Sequence, residues 1–559
     1  MAADFDLKIH RGEGMALLAM NWHGDAPPND FVGFAIEYRE PGGNRYFPVK
    51  NRLAFRNGDG NLNPNTLATT LSPIQKFRWV HFPRNADLPG NFNYRVTPVF
   101  MDANGALSYG EARLEDVVLA SETYPGKLNV AFTRGFVSSQ AFVDKYQKFG
   151  PISELLPAKA ADGLAFEPTH PKAAEALAWM GFEARAAILA TLDKAIADPG
   201  AKVSFIAYDL NLPEIVERLE QLGTRLRVII DNSDEHGAPD SAETTAETRL
   251  IASAGPGNVL RQKMGKLQHN KMIVVDGANA QIVVCGSTNY SWRGFFVQAN
   301  NAMVLEGRQP VEVFGAAFDQ YWANAVQGFS TSSCAEWIPL DLGALDLQVT
   351  FSPHSDTNAR LAEIAADMRT AESSVLYSLA FLYQTTGAIR QAVHDLTADS
   401  NIFVYGISDR KVGGLDVQKP DGNVDPVYPD VLAGDVPAPF SEEPVGGGGT
   451  RMHHKFVVLD FDKPTARVYL GSYNFSPPAD TANGENLLLV KDRRVVTSYM
   501  VEALRIFDHY HFRIAQRNAA LAQRELVLKR PPATANERPW WYEDYHDPRK
   551  IKDRKLFSS

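Results

Sequence analysis

One short pattern occurs twice in this chain, and that repeat restricts the fold more than any other property of the sequence. His269-Asn270-Lys271 is followed after four residues by Asp276, and then by Gly286-Ser287-Thr288-Asn289. His453-His454-Lys455 is followed after four residues by Asp460, and then by Gly471-Ser472-Tyr473-Asn474. The two histidines lie 184 residues apart, and the pairs Gly286/Gly471, Asn289/Asn474 and Asn300/Glu485 each lie 185 apart. Near-constant offsets across so many positions imply an internal duplication. A duplicated unit commonly packs as a pair about an approximate two-fold axis.

The repeated residues are those that handle a phosphate. Lys271 and Lys455 supply fixed positive charge, while Ser287, Ser472, Asn289 and Asn474 supply neutral donors. His269 and His453 can be neutral or charged near neutral pH, so either can attack or pass a proton. Strand periodicity of two puts His269 with Lys271, and His453 with Lys455, on one face. The same periodicity turns His454 to the opposite face, where a structural role is expected. His509 and His511 fall in a helical stretch and are not read as metal ligands. Asp276 and Asp460 fall at strand ends and read as turn caps or structural ion pairs.

The apolar runs Met272-Ile273-Val274-Val275 and Phe456-Val457-Val458-Leu459 read as central strands, as do Arg227–Asp231 and Ile402–Tyr405. Pro213–Leu222 has helical spacing, with Ile215, Val216, Leu219 and Leu222 on one face. Strands alternating with helices argue for α/β lobes around mixed sheets. Residues 1–122 differ in texture: short alternating runs, such as Phe34–Tyr38 and Tyr94–Thr97, are separated by turn clusters such as Pro41-Gly42-Gly43-Asn44. That spacing predicts a small antiparallel β-sandwich with Trp22 and Tyr94 in its core. The predicted order is therefore an all-β sandwich (1–122), a first lobe (123–338), a second lobe (339–516) and a tail (517–559). Asp234–Gly265 and Asp409–Thr450 read as long polar loops before each motif, either lids or connectors. Arg451 reads as a solvated residue at the pocket mouth. In the tail, Trp540-Trp541-Tyr542 reads as an anchor onto the lobes.

Composition narrows the function. Lys plus Arg number 56 against 66 Asp plus Glu, a net charge of −10, so a broadly basic nucleic-acid footprint is absent. Cys285 and Cys334 are the only cysteines and cannot form a disulfide framework. No apolar run approaches the roughly 18 residues that cross a bilayer, and Met1-Ala2-Ala3-Asp4 lacks the basic start of a signal peptide. A cytoplasmic location is expected, with signal-independent export left open.

Two copies of His-x-Lys-x4-Asp, each followed by Gly-Ser-x-Asn, resemble the phospholipase D superfamily over roughly residues 125–515. Residues 1–122 resemble a fibronectin type III or immunoglobulin-like module, on Trp22 and the Tyr94-x-Val96 strand. The phospholipase D resemblance implies a phosphodiesterase needing no metal and no cofactor. One histidine attacks phosphorus, and the other protonates the leaving oxygen and then activates water or an alcohol. Carried over by position, His269 and His453 are that pair, and Lys271, Lys455, Asn289 and Asn474 hold the phosphate oxygens. Ser287 and Ser472 stand behind them or touch the phosphate.

The copies diverge at one telling position. The family places an acid downstream of Gly-Ser-x-Asn to orient a histidine; the second copy has Glu485, and the first has Asn300. The resemblance implies that these side chains reach across to the other half. Glu485 would then support His269 as nucleophile, and Asn300 would face His453 as acid/base. The expected substrate is a phospholipid or other phosphodiester, met in transient contact with a membrane surface by a monomer. A superfamily nuclease and a binding protein with a vestigial site are the alternatives.

Overall fold

The computed structural model describes residues 4–56, 66–119, 122–135, 139–324, 328–382, 386–408 and 452–559. The reading of Asp409–Thr450 as a loop and of Arg451 as a mouth residue lies outside them. The described chain divides into two compact units: residues 4–119 with 497–559, and residues 122–496.

The first unit is built on two antiparallel sheets. One, in the order β1-β2-β5, joins β1 (Phe5–Arg11), β2 (Ala16–Trp22) and β5 (Arg78–His81). The other is β4-β3-β6-β7, with β8 also on β6; its strands are β3 (Phe31–Arg39), β4 (Phe47–Pro48), β6 (Asn91–Met101), β7 (Leu107–Tyr109) and β8 (Arg113–Val118). In β6, Phe92, Tyr94 and Val96 alternate inward, as strand periodicity requires. They share one core with Phe5, Leu18, Trp22, Phe34 and Ile36. Gly33 has φ +129, and a Cβ there would sit 2.5 Å from the Ile74 carbonyl oxygen, so no larger residue fits this bulge.

The tail completes this core. Trp541 and Tyr545 are buried in it, Trp540 packs against it, and their polar atoms bind its backbone. Trp540 Nε1 donates to the Phe31 carbonyl at 3.0 Å, and the Trp22 amide donates to the Tyr545 hydroxyl at 3.0 Å. The expected anchor onto the lobes is therefore corrected: the aromatics fill the N-terminal sheets, where indole and phenol both find partners.

The second unit holds two seven-stranded mixed sheets. The first runs β12-β11-β10-β13-β14-β15-β9, from β9 (Leu128–Phe132), β10 (Lys202–Ala207), β11 (Leu226–Asp231), β12 (Val259–Gln262), β13 (Met272–Asp276), β14 (Gln281–Gly286) and β15 (Asn301–Glu306). The second runs β16-β17-β22-β21-β20-β18-β19, from β16 (Ile338–Pro339), β17 (Leu347–Ser352), β18 (Ser374–Leu379), β19 (Phe403–Ile407), β20 (Lys455–Leu459), β21 (Arg467–Gly471) and β22 (Glu485–Val490). The path β9-β15-β14-β13-β10-β11 recurs as β17-β22-β21-β20-β18-β19, with the last pair parallel and the others antiparallel in both. Helices Ala173–Ala197 and Pro213–Leu222 make the crossovers of the first sheet, and Leu361–Met368 and Ala388–Ala398 those of the second. β13 and β20 are apolar and buried along nearly their whole length, as central strands covered on both faces must be.

One expectation fails here. Asp234–Gly265 is not a structureless loop, since it holds a helix, Ala242–Ala254, and strand β12. Ser241 caps the helix by accepting from the Thr244 amide, and Ala242, Ala246, Leu250 and Ala254 recur at four-residue steps on its buried face. The polar composition hid that stripe, because small alanines bury a face without a strongly hydrophobic signature. Among the described residues, no helix is long and apolar enough to cross a membrane.

Candidate active site

His269 and Lys271 lie just before β13, Lys455 is the first residue of β20, and His453 lies two residues before it. At each half the histidine backbone is fixed by the other half. The His269 amide donates to the Gly484 carbonyl at 2.9 Å, and the His453 amide to the Ala299 carbonyl at 3.1 Å. Gly484 and Ala299 each precede the residue at which the copies diverge. A Cβ on Gly484 would sit 2.4 Å from the Gln268 Oε1, so a larger residue there would have to displace the buried, hydrogen-bonded Gln268 amide.

The side chains cross in the same way. His269 Nδ1 is 2.8 Å from Glu485 Oε2, and His453 Nδ1 is 2.8 Å from Asn300 Oδ1. Glu485 is fully buried and its other oxygen accepts from Asn483 Nδ2 at 3.2 Å. Asn300 is held on both ends: Nδ2 donates to the Gly294 carbonyl and Oδ1 accepts from the Ser287 hydroxyl, each at 2.9 Å. Because Oδ1 and the Ser287 carbonyl both accept, His453 Nδ1 must carry the hydrogen. The two imidazole rings lie edge-on to each other with centroids 6.3 Å apart.

Lys271 and Lys455 are buried; Nζ of each donates to the carbonyl of its own histidine, at 2.5 and 2.8 Å. Lys271 also lies over the Tyr208 ring, and Lys455 over Phe381. Ser287 and Ser472 brace the next strand, accepting from the Asn301 and Asn486 amides at 3.0 Å. Asn289 and Asn474 line the cleft, and the Oδ1 of each has no partner among the described residues. Asp276 pairs with Arg308 in solvent at 2.8 Å, and buried Asp460 accepts the Glu372 and Ser373 amides at 2.9 and 2.8 Å. Neither carboxylate touches the histidines or lysines. His454 is buried against Phe132 and Phe456.

The site is short of negative charge. Burial lowers the pKa of His269, with Glu485 opposing it. Burial, then Lys455 and Lys271, push His453 well below its ordinary value. Burial brings Lys271 down to about 8 and takes Lys455 well below its ordinary range. Glu485, with Asp209 and Asp231 acting on the lysines, does not overcome burial in these four groups, and a bound anion would favour their charged forms. The rings, amides and lysines can therefore hold a tetrahedral oxyanion and move protons on either side of it.

The cleft, about 990 Å³, has a wall that the motif alone did not reveal. Tyr208 packs edge-on to both His236 and His269. His236 Nε2 is 3.0 Å from Asp209 and its Nδ1 2.9 Å from Asp231. Burial works against its charge, but the two carboxylates prevail and push its pKa up to about 10. Asp209, His236 and Glu243 bring ligand atoms within 4.8 Å of one another, a spacing that could hold a cation. As it stands the group is an ion pair, since both imidazole nitrogens are engaged by carboxylates. Asp231 also accepts the Gln268 amide at 2.7 Å, tying this wall to the residue before His269. A signal existed: Tyr208-Asp209 follow β10 directly and Asp231 ends the parallel strand β11, where α/β sheets gather ligand-facing residues.

Residues 192–322 and 364–507 match a family model described as cardiolipin synthase, PLD-like domain, one copy of the motif in each stretch. These stretches are phospholipase D-like. A 48-residue segment is 40% identical to a phospholipase D of Rickettsia prowazekii (strain Madrid E), covering 9% of this chain and 22% of that protein. The chain thus spans about a fifth of the length of that curated relative. Among solved structures, phosphatidylserine synthase of Haemophilus influenzae Rd KW20 aligns at 12% identity over 66% of this chain and 92% of that one, with a TM-score of 0.39. Nuc, a phospholipase D family member of Salmonella typhimurium, aligns at 24% identity over 25% and 87%, with a TM-score of 0.21. Polyphosphate kinase of Porphyromonas gingivalis aligns at 10% identity over 66% and 53%, with a TM-score of 0.38.

Proposed function

We propose that this chain is a phospholipase D-type phosphodiesterase that releases or exchanges phospholipid head groups through a phosphohistidine on His269. The observation that carries the reading is the crossed pairing of His269 with Glu485 and His453 with Asn300 in one cleft. His269 Nε2 attacks phosphorus, the bond from phosphorus to the leaving alcohol oxygen breaks, and His453 Nε2–H protonates that oxygen. Neutral His453 then takes a proton from water or an acceptor alcohol, whose oxygen attacks phosphorus and frees His269. Attack leaves a positive charge on the His269 ring, and the buried Glu485 carboxylate stabilises it. His453 ends the first step neutral and needs only a neutral orienting group, which Asn300 supplies.

Lys271, Lys455, Asn289 and Asn474 hold the phosphate oxygens in this reading, and Ser287 and Ser472 stand behind them. The two sheets are duplicated lobes about a pseudo-two-fold axis, supported by their repeated strand order. The N-terminal sheets form a fibronectin type III-like module, supported by their shared core around Trp22 and Tyr94. Lipid is favoured over nucleic acid by the cleft wall. Asp209, Asp234, Glu235, Asp240 and Glu243 line the cleft together with Lys263, Lys266 and Arg293, so its described wall lacks the excess of basic residues that a nucleic-acid trough carries.

Head-group release from mixed phospholipid vesicles, compared with His269→Ala, tests the reading. Wild type is expected to release head group and the variant to release none above background. Equal release by both would overturn it, and salt-sensitive DNA cleavage without lipid turnover would establish a nuclease instead.

A further inference from the structure

We infer that the Tyr208 hydroxyl is a further catalytic group, donating a hydrogen bond to an oxygen of the phosphoryl group that His269 and Lys271 hold; the inference rests on the reading above. Tyr208 lines the cleft and is part-buried. Three side chains fix its ring. It packs edge-on to His236 and His269, with ring centroids 4.4 and 4.7 Å away, and Lys271 Nζ stands 4.7 Å from its centre. His236 is in turn pinned by Asp209 and Asp231. The hydroxyl, by contrast, has no hydrogen-bond partner among the described residues and is not sealed from the cleft. A polar group placed in this way is open to a ligand.

The chemistry of the hydroxyl matches a phosphate. A phosphodiester at neutral pH offers acceptor oxygens and no donor, so only donors can serve it. Asp209, the next residue on this wall, is an ionised carboxylate and can only accept. Both nitrogens of His236 are already engaged. The phenol keeps its hydrogen: burial, then the carboxylates of Asp209, Asp231, Glu243 and Glu485, push its pKa well above the ordinary value. His269 turns Nδ1 to Glu485, which leaves Nε2 for phosphorus. A phosphoryl group that touches both Nε2 and Lys271 Nζ lies beside Tyr208, because His269 and Lys271 both contact that ring.

The other half shows what the ring does without the oxygen. Phe381 also lines the cleft, with Lys455 Nζ 5.7 Å from its centre and the His453 ring edge-on at 6.4 Å. An aromatic wall beside histidine and lysine is therefore common to both halves, and phenylalanine suffices for that packing. The hydroxyl is present only on the half whose histidine takes the phosphoryl group. There it complements Glu485: the carboxylate steadies the charged imidazole, and the phenol steadies the oxygens that imidazole carries.

Tyr208→Phe removes only the oxygen and reproduces the ring of the other half, so its thermal unfolding is expected to match wild type. Inorganic phosphate titrated calorimetrically into the full chain, and head-group release from phosphatidylethanolamine vesicles, test the inference. Phosphate affinity and kcat/KM are each expected to fall about ten-fold in the variant, the equivalent of one hydrogen bond to a charged group. Phosphate affinity or kcat/KM equal to wild type overturns the inference while leaving the phosphodiesterase reading intact. Release of no head group by wild type overturns both.

Discussion

Glu485 Oε2 stands 2.8 Å from His269 Nδ1, although 216 residues separate the two in the chain. The carboxylate is fully buried and, among the described residues, carries the only negative charge hydrogen-bonded to either histidine. The corresponding contact on the other side, Asn300 to His453, has the same 2.8 Å length and no charge. The two halves therefore hold their imidazoles in matched geometry with different electrostatics, which is the physical basis for assigning them different tasks.

Asn300→Asp is expected to raise the pKa of His453, because a carboxylate favours the imidazolium that burial and the two lysines now disfavour. The acid/base must be protonated for the first step, so the basic limb of the kcat/KM profile moves to higher pH, by about one unit or more. A pH–rate profile of the variant checks this; an unmoved limb would mean that His453 does not supply the proton.

Glu485→Gln retains a hydrogen-bond acceptor and loses the charge. Formation of the phosphohistidine is expected to slow by about 10²–10³-fold, the scale seen when one preorganised electrostatic contact is removed. Rapid-quench measurement of the acid-labile phosphoenzyme reads the step directly. Unchanged phosphoenzyme formation would move the nucleophile to His453.

His236 should make stability fall in alkali. Its folded pKa, raised to about 10 against an ordinary 6.5, means that the folded state holds a proton the unfolded chain releases. Its contribution is complete below about pH 6.5 and disappears as pH rises through about 10. Thermal unfolding of His236→Gln is expected to show a flatter pH dependence across that window than wild type, with the largest difference at its acid end.

Trp541→Ala is expected to destabilise the N-terminal unit by about 3–5 kcal/mol, the usual cost of truncating a buried large aromatic. Trp541 is 5% exposed in the core shared with Trp22 and Tyr94. Differential hydrogen exchange checks the location: protection should fall in β2, β3 and β6. A loss confined to the phospholipase D-like sheets would contradict the packing.

Local chemistry was readable because periodicity and spacing are local. Pro213–Leu222 folds with the ends expected from its apolar face, and Trp22 and Tyr94 sit in a core. The helix Ala242–Ala254 escaped because its buried stripe is mostly alanine, and the tail aromatics were sent to the wrong surface because nothing in a tryptophan specifies its partner. Tyr208 passed unnoticed for a related reason: a phenol acquires a role only from its surroundings.

The sequence by itself determined that two equivalent sets of His, Lys, Ser and Asn exist, and that they differ at Asn300 and Glu485. Those facts lie in residue type and offset, which need no coordinates. Only the tertiary structure decided which imidazole receives the charge. That outcome depends on the Gly484 and Ala299 carbonyls drawing each histidine backbone against the opposite half. It also depends on burial removing the water that would otherwise screen Glu485 from His269. Distance and dielectric set the strength of a charge contact, and both arise only when segments 216 residues apart are packed together.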